Sequence, residues 1–194
     1  MRVAIVDESP ARAAIIQEGL REAGLTDVAV LTERTGLVAR LEAIAPDVVL
    51  INLGNPSRDT LEESFSVSRA LSRPIAMFVD SSDEDAIASS VEAGVSAYVV
   101  DGLRKERIKP ILDLAVRRFH AFSRLQSELQ EAKTALAERK TVDRAKAILM
   151  QSRGLGEPEA YALLRTTAMN QGRRIAEVAE ALITASALLE GKNG

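Results

Sequence analysis

The sequence predicts an α/β domain followed by an all-α region, and two observations carry this prediction. Over the first hundred of the 194 residues, five short apolar runs alternate with amphipathic segments of helical length. From Lys105 onwards the sequence has no Gly before Gly154 and only Pro110 as a helix breaker, which indicates one long helix. Amphipathic segments then continue towards the end of the chain.

The apolar runs in the first part are short and nearly continuous, as expected of strands in a parallel sheet that helices cover on both faces. Helices are expected near residues 10–24, 35–45, 59–72 and 83–93. Five such units predict a doubly wound, flavodoxin-like domain whose functional groups lie at the carboxyl ends of the strands. The predicted strands are residues 2–6, 27–31, 48–53, 75–79 and 97–100.

Along the predicted long helix, apolar residues recur at alternating spacings of four and three, the pattern of a coiled-coil seam. The stripe also contains Arg118 and Arg139. We expect it to join two copies of the chain as a homodimer, because the helix outruns any small domain that it could cover. The alternative is that the stripe packs against its own domain. Its apolar positions are Ile111, Ala115, Phe122, Leu125, Leu129, Ala132 and Leu136.

Two more helices are predicted after the long one. Gly154 and Gly156 end the long helix, and Pro158 suits the first turn of the next, where its missing N–H costs nothing. Gly172 supplies the end of that helix, and a last helix is expected over residues 175–189.

The net charge of −3 is divided unevenly between the two parts. Residues 1–138 carry 16 Lys and Arg against 22 Asp and Glu, whereas residues 139–194 carry 9 against 6. An acidic front and a basic rear suggest separate roles, and a basic rear suits a polyanion.

The composition also excludes several classes of site. The sequence has no Cys and a single His, His120, so it offers no thiolate metal site and no Ser–His catalytic pair. It has no Gly-rich loop that would cradle a nucleotide. We therefore expect no metal, no cofactor and no enzymatic activity. No apolar segment is long enough for a signal sequence or a membrane span, and we expect a cytoplasmic protein.

Polar residues at the ends of the predicted strands resemble the phosphorylation site of response-regulator receiver domains, over about residues 1–120. Asp7 and Glu8 follow the first strand, where receivers hold the acidic pair that binds Mg²⁺. Tyr98 stands at the aromatic switch position of that family. The resemblance implies a receiver-like domain at the front of the chain.

Three departures from the receiver pattern put phosphorylation in doubt. Asn52 stands at the acceptor position, and a neutral amide is not the nucleophile that an aspartyl phosphate requires. Val79 replaces the hydroxyl residue, and Asp101 replaces the Lys that would stabilise the phosphoryl charge. We expect a pseudo-receiver in which Asp7, Glu8 and Asp101 form a solvated acidic rim, with relief of the carboxylates of Asp7 and Glu8 by a nearby cation left open; a site of mixed use is the alternative.

The rear carries the segments AKAILM at 145–150, YALLR at 161–165 and AMNQGRRI at 168–175. At these spacings they resemble the ANTAR domain, a three-helix RNA-binding module of transcription antiterminators, over about residues 130–190. The resemblance implies a pseudo-receiver domain at 1–120, a coiled-coil dimerisation helix at 106–140 and an RNA-binding domain at 130–190.

Cationic side chains outside the expected three-helix core are the candidate RNA contacts, since Arg and Lys provide affinity through phosphates. Asn170 and Gln171 are candidates for reading unstacked loop bases, with helix capping as the alternative. For Arg165 the alternative is an ion pair with Glu157 or Glu159. The candidate RNA-binding residues are Arg139, Lys140, Arg144, Lys146, Arg165, Asn170, Gln171, Arg173 and Arg174.

Several residues in this region have a structural interpretation instead. Tyr161 is expected to pack in the core rather than to stack on a base, and Met150 and Met169 are expected to fill core gaps. For Lys146 the alternative is an ordinary exposed lysine. The expected buried faces are Val142, Ala145, Ile148 and Leu149 in the first helix, Ala160, Leu163, Leu164 and Thr167 in the second, and Ile175, Val178, Ala179, Leu182 and Ile183 in the third.

The resemblance implies antitermination through paired stem-loops in a leader transcript. It is greatest to nitrate-assimilation antiterminators of the NasT type, favoured by residues 56–59 and 95–102, and extends to amidase antiterminators of the AmiR type. It implies control by a ligand-sensing partner of the NasS type, which sequesters the antiterminator, in place of phosphorylation. Two alternatives are a protein-interaction module, in which a receiver-like dimer titrates a partner without RNA, and a binder of duplex DNA.

Overall fold

The computed structural model describes residues 1–101 and 103–190, with the backbone alone for the last two of these. They form two compact units, Met1–Arg124 and the residues from Leu125 onwards. The strands are β1 (Val3–Val6), β2 (Val28–Leu31), β3 (Val48–Leu53), β4 (Ile75–Val79) and β5 (Ala97–Val100). The helices are α1 (Pro10–Glu22), α2 (Leu37–Ile44), α3 (Arg58–Ala70), α4 (Glu84–Glu92), α5 (Lys105–Arg153), α6 (Glu157–Gln171) and α7 (Ile175–Glu190).

The five strands form one sheet in the order β2-β1-β3-β4-β5, and every neighbouring pair is parallel. This order is that of flavodoxin-like domains, with the reversal at β1 and β3. The predicted fold class is confirmed, and the predicted strands agree with the observed ones to within one residue at each end. The ends of α1, α2 and α3 differ from prediction by one or two residues.

The sheet is buried on both faces, which explains the continuous apolar runs. Along β3, Val49 and Ile51 belong to one hydrophobic cluster, and Val48 and Leu50 belong to the cluster on the opposite face. All six residues of β3 are buried. Only strands with two covered faces lack the polar alternation of half-exposed strands.

The first part of α5 completes the sheet unit. Ile108, Leu112 and Ala115 are fully buried in the same cluster as residues of α1 and the sheet. The later part of α5 is exposed from Ala121 to Ala137, where no neighbouring element of its own chain covers it.

In the second unit, the last turns of α5 pack with α6 and α7 around a small core. Its buried members are Val142, Ala145, Leu149, Ala160, Leu164, Ala168, Val178 and Ala179. Of the other expected core positions, Leu163, Ile175, Leu182 and Ile183 are partly buried and pack against it. No helix in the described part of the chain combines the length and the apolarity needed to cross a membrane.

Candidate receiver-like pocket and nucleic-acid interface

The carboxylate of Asp7 lies buried where β1 ends, with only 1% of the residue exposed. Arg12 donates to both of its oxygens, from Nε to Oδ2 at 3.2 Å and from Nη2 to Oδ1 at 3.0 Å. The amide Nδ2 of Asn52 donates to Oδ2 at 2.6 Å, and the backbone N–H of Ser9 donates to Oδ1 at 2.8 Å. Four donors therefore satisfy a charge that would otherwise be costly to bury.

The local sequence brings Arg12 to this carboxylate. Ser9 caps α1 by accepting from the backbone N–H of Arg12, and Pro10 occupies the first turn. Arg12 therefore lies within the first turn of the helix, close to the loop that follows β1. The hydrogen bond with Asp7 raises the pKa of Arg12 above its usual value, although partial desolvation opposes this. The arginine remains fully charged and serves as a built-in cation.

The second acidic residue of the pair also faces an arginine. Glu8 Oε1 lies 2.6 Å from Arg34 Nε, and Glu63 Oε2 lies 3.6 Å from Arg34 Nη1. The Nε–H of Arg34 is not aligned with any acceptor, so the contact with Glu8 is one between charges rather than a hydrogen bond. Glu8 remains largely exposed, in contrast to Asp7.

The residues of this pocket do not fit the Mg²⁺ that the receiver resemblance implies. Mg²⁺ requires oxygen ligands in near-octahedral geometry, with carboxylates free to coordinate it. Here Arg12 holds both oxygens of Asp7, Arg34 lies against Glu8, and Asn52 directs an N–H group into the pocket. Within residues 1–101 and 103–190 there is no group of three or more His, Asp or Glu residues arranged to hold a metal.

The two predicted switch positions lie on neighbouring strands. Val79 is buried at the end of β4 and offers no polar group. Tyr98 in β5 is half-buried; its ring centroid lies 6.5 Å from that of Phe65, and its hydroxyl lies 2.9 Å from Ser82 Oγ. The tyrosine hydroxyl is thus tied to the loop that follows β4.

The expected solvated acidic rim is wrong for Asp7, because that carboxylate is buried and bonded to Arg12. Asp101 follows β5, an edge strand three positions from β1 in the sheet, or about 14 Å at the usual strand spacing. Asp101 is exposed, and its φ of 48° lies in the left-handed region that non-glycine residues rarely adopt. In the part of the chain that the structure describes, no hydrogen bond or ion pair connects Asp101 with Asp7 or Glu8. Gly102 lies outside the described residues.

Sequence reasoning missed Arg12 and Arg34 as members of the pocket. One signal was available for Arg12: the first turn of α1 contains no acidic residue, although the positive end of a helix favours acidic side chains. A basic residue in the first turn of a helix therefore indicates a nearby negative charge, and here that charge is the carboxylate of Asp7. Arg34 lies in the loop after β2, where no periodic pattern applies.

In the second unit, four of the candidate RNA-binding cations are exposed and, within the described residues, form no ion pair. They are Arg139, Lys140, Arg144 and Arg165. Their charges are available to a partner. The alternative ion pair for Arg165 is not formed, because Glu157 binds Lys146 and the Glu159 carboxylate accepts from the Gly156 N–H at 3.0 Å.

Lys146 is held between two helices. Its Nζ lies 2.8 Å from Asp143 Oδ1 in α5 and 2.7 Å from Glu157 Oε1 in α6, and only 15% of its side chain is exposed. The hydrogen bonds to Asp143 and Glu157, in that order, raise the pKa of Lys146. Lys146 thus joins α5 to the start of α6, and it is neither the ordinary exposed lysine of the alternative nor an unpaired cation.

The two arginines after α6 are also engaged. Arg174 Nη1 lies 2.8 Å from Glu138 Oε1, and Arg174 Nε lies 3.1 Å from Glu177 Oε1. Arg173 Nε lies 3.5 Å from Glu177 Oε2. The hydrogen bond from Arg174 lowers the pKa of Glu177. The pair of Arg174 with Glu138 connects the start of α7 to α5, whereas both pairs with Glu177 are local to the first turn of α7.

Asn170 and Gln171 are exposed near the end of α6. The cap of that helix is formed by Gly172, whose φ of 61° allows its backbone N–H to bond to Ala168 and Met169 carbonyls. A backbone N–H therefore caps α6, and the side chains of Asn170 and Gln171 are not needed as caps.

The expectation of core packing is wrong for three bulky residues of this unit. Tyr161 is 44% exposed, Met150 40% and Met169 72%. The core-facing row of α6 consists instead of Ala160, Leu164 and Ala168, and Leu163 packs beside it. Tyr161 and Met169 each follow a member of that row by one residue, and are rotated about 100° from it.

The apolar stripe of α5 divides into two parts. Ala115 is buried, and Ile111 packs partly buried, against the sheet of their own unit. Phe122, Leu125, Leu129 and Leu136 are 55–59% exposed, and Ala132 between them is also exposed. The stripe that a partner can reach thus begins near Phe122, and the first two predicted dimerisation positions are used within the sheet unit.

Substitution of Arg12 by Ala is expected to destabilise the sheet unit by about 1–3 kcal/mol. The loss of one partner from a fully buried pair costs about 3–5 kcal/mol, and the value here is lower because Arg12 is 45% exposed. Urea unfolding followed by circular dichroism measures it. Arg21→Ala, which breaks an exposed pair with Glu18 in the same helix, is the control and should change nothing measurable.

Millimolar MgCl₂ should leave the melting temperature of the unaltered protein unchanged, since Arg12 already neutralises Asp7. A marked stabilisation of the unaltered protein by MgCl₂, but not by NaCl at equal ionic strength, would contradict the assignment of Arg12 as the cation of this pocket.

Residues 130–183 match the ANTAR domain. Over 182 residues, 94% of this chain, the sequence is 28% identical to the transcriptional regulatory protein PdtaR of Mycobacterium tuberculosis, covering 89% of that protein. Over 80 residues, 41% of this chain, it is 39% identical to the nitrate regulatory protein of Klebsiella oxytoca, covering 20% of that protein.

Two solved structures share the fold of the sheet unit. The N-terminal domain of a response regulator/sensory box/GGDEF protein of Carboxydothermus hydrogenoformans aligns with a TM-score of 0.51 at 17% identity, covering 63% of this chain and 99% of that one. A pilus assembly-related protein of Burkholderia pseudomallei aligns with a TM-score of 0.53 at 17% identity, covering 61% and 90%. The chain thus combines a flavodoxin-like sheet unit with a segment, residues 130–183, that matches the ANTAR domain.

Proposed function

We propose that this protein is an RNA-binding regulator of transcription antitermination that acts on stem-loops in a leader transcript. The observation that carries the proposal is the match of residues 130–183 to the ANTAR domain. PdtaR, similar over 94% of this chain, is named as a transcriptional regulatory protein, which supports a regulator rather than an enzyme. Antitermination acts on a nascent transcript, so the proposal places the protein in the cytoplasm.

The proposal assigns a separate role to each part of the chain. Residues 1–120 form a pseudo-receiver domain, residues 106–140 a dimerisation helix, and residues 130–190 the RNA-binding domain. The arginine-filled pocket supports an input other than phosphorylation, because Asn52 cannot accept a phosphoryl group and its amide is bonded to Asp7.

The exposed cations support affinity for a polyanion. Lys140 and Arg144 lie four residues apart, on one face of α5, and Arg139 lies beside them. Because none of the three is held in an ion pair within the described residues, each can bind a phosphate without first losing an internal partner. Each such contact releases condensed counterions, so affinity should depend on salt.

We expect Arg144→Ala to weaken binding of a two-hairpin RNA and to lower the slope of log K against log salt by about 1, as for the loss of one phosphate contact. Fluorescence anisotropy at several salt concentrations measures both. Arg73→Ala removes an exposed arginine from the sheet unit and is the matched control. A loop-scrambled RNA should bind less tightly by ~1 kcal/mol or more.

If the unaltered protein binds neither the hairpin RNA nor its scrambled form at moderate salt, the proposed function fails. The protein-interaction alternative would then stand. Equal affinity for hairpin RNA and for duplex DNA of the same charge would instead favour general binding of nucleic acids.

We also propose that the exposed stripe from Phe122 to Leu136 forms a parallel coiled coil between two copies of the chain. The spacings of three and four place Glu128 and Lys133 on the two sides of the stripe, at positions that face each other across a parallel pair. A dimer would present two RNA-binding domains to two hairpins, and binding of the first raises the effective concentration for the second.

Leu129→Asp is expected to convert the dimer to a monomer, because it places a charge within the apolar stripe. Gln130→Asp introduces the same charge at the adjacent position, outside the stripe, and should leave the dimer intact. Sedimentation velocity distinguishes the two states. Equal molecular masses for both variants and the unaltered protein would exclude this stripe as the dimer interface.

We further propose that a nitrate- or nitrite-sensing partner of the NasS type sequesters the protein and releases it on binding its ligand. The 39% identity to a nitrate regulatory protein over 80 residues supports the nitrate link. The sheet unit offers exposed apolar residues for such a contact: Ile87 and Val91 lie four apart on α4, and Val100 lies on the edge strand β5.

Val91→Asp should weaken co-purification with such a sensor in the absence of nitrate, because it places a charge on an apolar contact surface. Ile15→Asp makes a comparable change at an exposed apolar residue of α1 and is the control. Nitrate or nitrite should release the unaltered protein. Binding of the sensor that is indifferent to both anions would exclude this mode of control.

A further inference from the structure

One face of α6 carries an exposed row of three side chains that the core does not use. Tyr161, Arg165 and Met169 are spaced four residues apart, so they lie along a single side of the helix. Tyr161 is 44% exposed and Met169 72%, and Arg165 is also exposed. The face therefore presents an aromatic ring, a planar guanidinium and a flexible thioether in sequence.

We propose that this row is the platform on which the protein stacks unpaired bases of an RNA loop. The inference rests on the RNA binding proposed above and deepens it by naming the part of the RNA that is recognised. An aromatic ring and an arginine plane are the groups that proteins use to stack splayed-out bases. A duplex keeps its bases stacked on one another and offers no such faces.

The charge of the region favours RNA as the occupant over an apolar protein surface. Residues 139–174 carry 8 Lys and Arg against 3 Asp and Glu. Within the described residues, those acidic side chains are already engaged: Asp143 and Glu157 bind Lys146, and Glu159 caps the start of α6. Arg165 is consequently a cation without an internal partner in the middle of an otherwise uncharged row.

The row is also held in place from its N-terminal side. Glu157, one turn before Tyr161 on the same face, is tied to Lys146 of α5 at 2.7 Å. The cap formed by Glu159 fixes the first turn, and Gly172 closes the last. A platform ordered before binding loses little entropy when a base arrives. Lys146 would thus act by positioning α6, without itself contacting the RNA.

The test uses the full-length protein and hairpin RNAs that carry 2-aminopurine at one loop position at a time, since stacking quenches its fluorescence. For at least one position we expect quenching by the unaltered protein and by Tyr161→Phe, which keeps the ring. Tyr161→Leu, which keeps an apolar side chain but has no ring, should lose the quenching and bind about 5- to 100-fold more weakly. Its salt slope should stay unchanged, because no phosphate contact is lost.

Met169→Ala should also weaken RNA binding. Leu188→Ala is its matched control and should not, since Leu188 is 73% exposed on α7 in the same unit but lies outside the row. Each variant should keep the melting temperature of the unaltered protein, because none of these side chains lies in the core.

The outcomes separate this inference from the function on which it rests. If the unaltered protein binds no hairpin, the proposed function fails and the stacking platform fails with it. If the unaltered protein binds but Tyr161→Leu matches it in both affinity and quenching, only the stacking platform is overturned. Loss of self-association in Tyr161→Leu, with RNA affinity unchanged, would also overturn it and assign this face to a protein.

Discussion

The pairing of Arg12 with the buried carboxylate of Asp7 determines what the sheet unit can do. A parallel sheet gathers polar groups at its carboxyl edge, and in this chain that edge contains a buried negative charge. A mobile divalent ion could neutralise such a charge and thereby make the domain responsive to phosphate. A covalently attached guanidinium neutralises it permanently instead. The unit has the flavodoxin-like fold, but its pocket is occupied by its own arginine.

In the second unit, the number of cationic side chains in the sequence exceeds the number that are unpaired within the described residues. The sequence assigns nine polar or cationic side chains to RNA, yet Lys146, Arg173 and Arg174 form ion pairs. The pairs of Lys146 with Glu157 and of Arg174 with Glu138 connect the helices, and that of Arg173 with Glu177 is local to the start of α7. The pairs of Arg173 and Arg174 are exposed, and pairs of this kind contribute little to stability one by one, whereas only 15% of the Lys146 side chain is exposed. Their effect is on orientation, since they fix the helices that carry the unpaired cations.

The sequence predicted the sheet almost residue by residue, because strands buried on both faces leave an uninterrupted apolar record. The predicted helix ends differ more from the observed ones. For example, α3 ends at Ala70 because the backbone of Leu71 is extended, and the leucine side chain gives no indication of this in the sequence. The pocket could not be predicted, because the contact of Arg12 with Asp7 forms only in the folded protein and follows no periodic pattern in the sequence. Tyr161 was misassigned because a one-residue step on a helix separates a core row from an exposed row, and apolar character alone does not distinguish them.

The bond between Asn52 and Asp7 also limits which side chain position 52 can hold. Nδ2 of Asn52 lies 2.6 Å from Oδ2 of Asp7, so an aspartate at position 52 would set two buried carboxylates against each other. Like charges this close cannot both remain ionised without cost. An Asn52→Asp substitution would consequently destabilise the sheet unit. One substitution therefore cannot place a stable carboxylate at position 52, since a second change that removes or compensates the charge of Asp7 is needed as well.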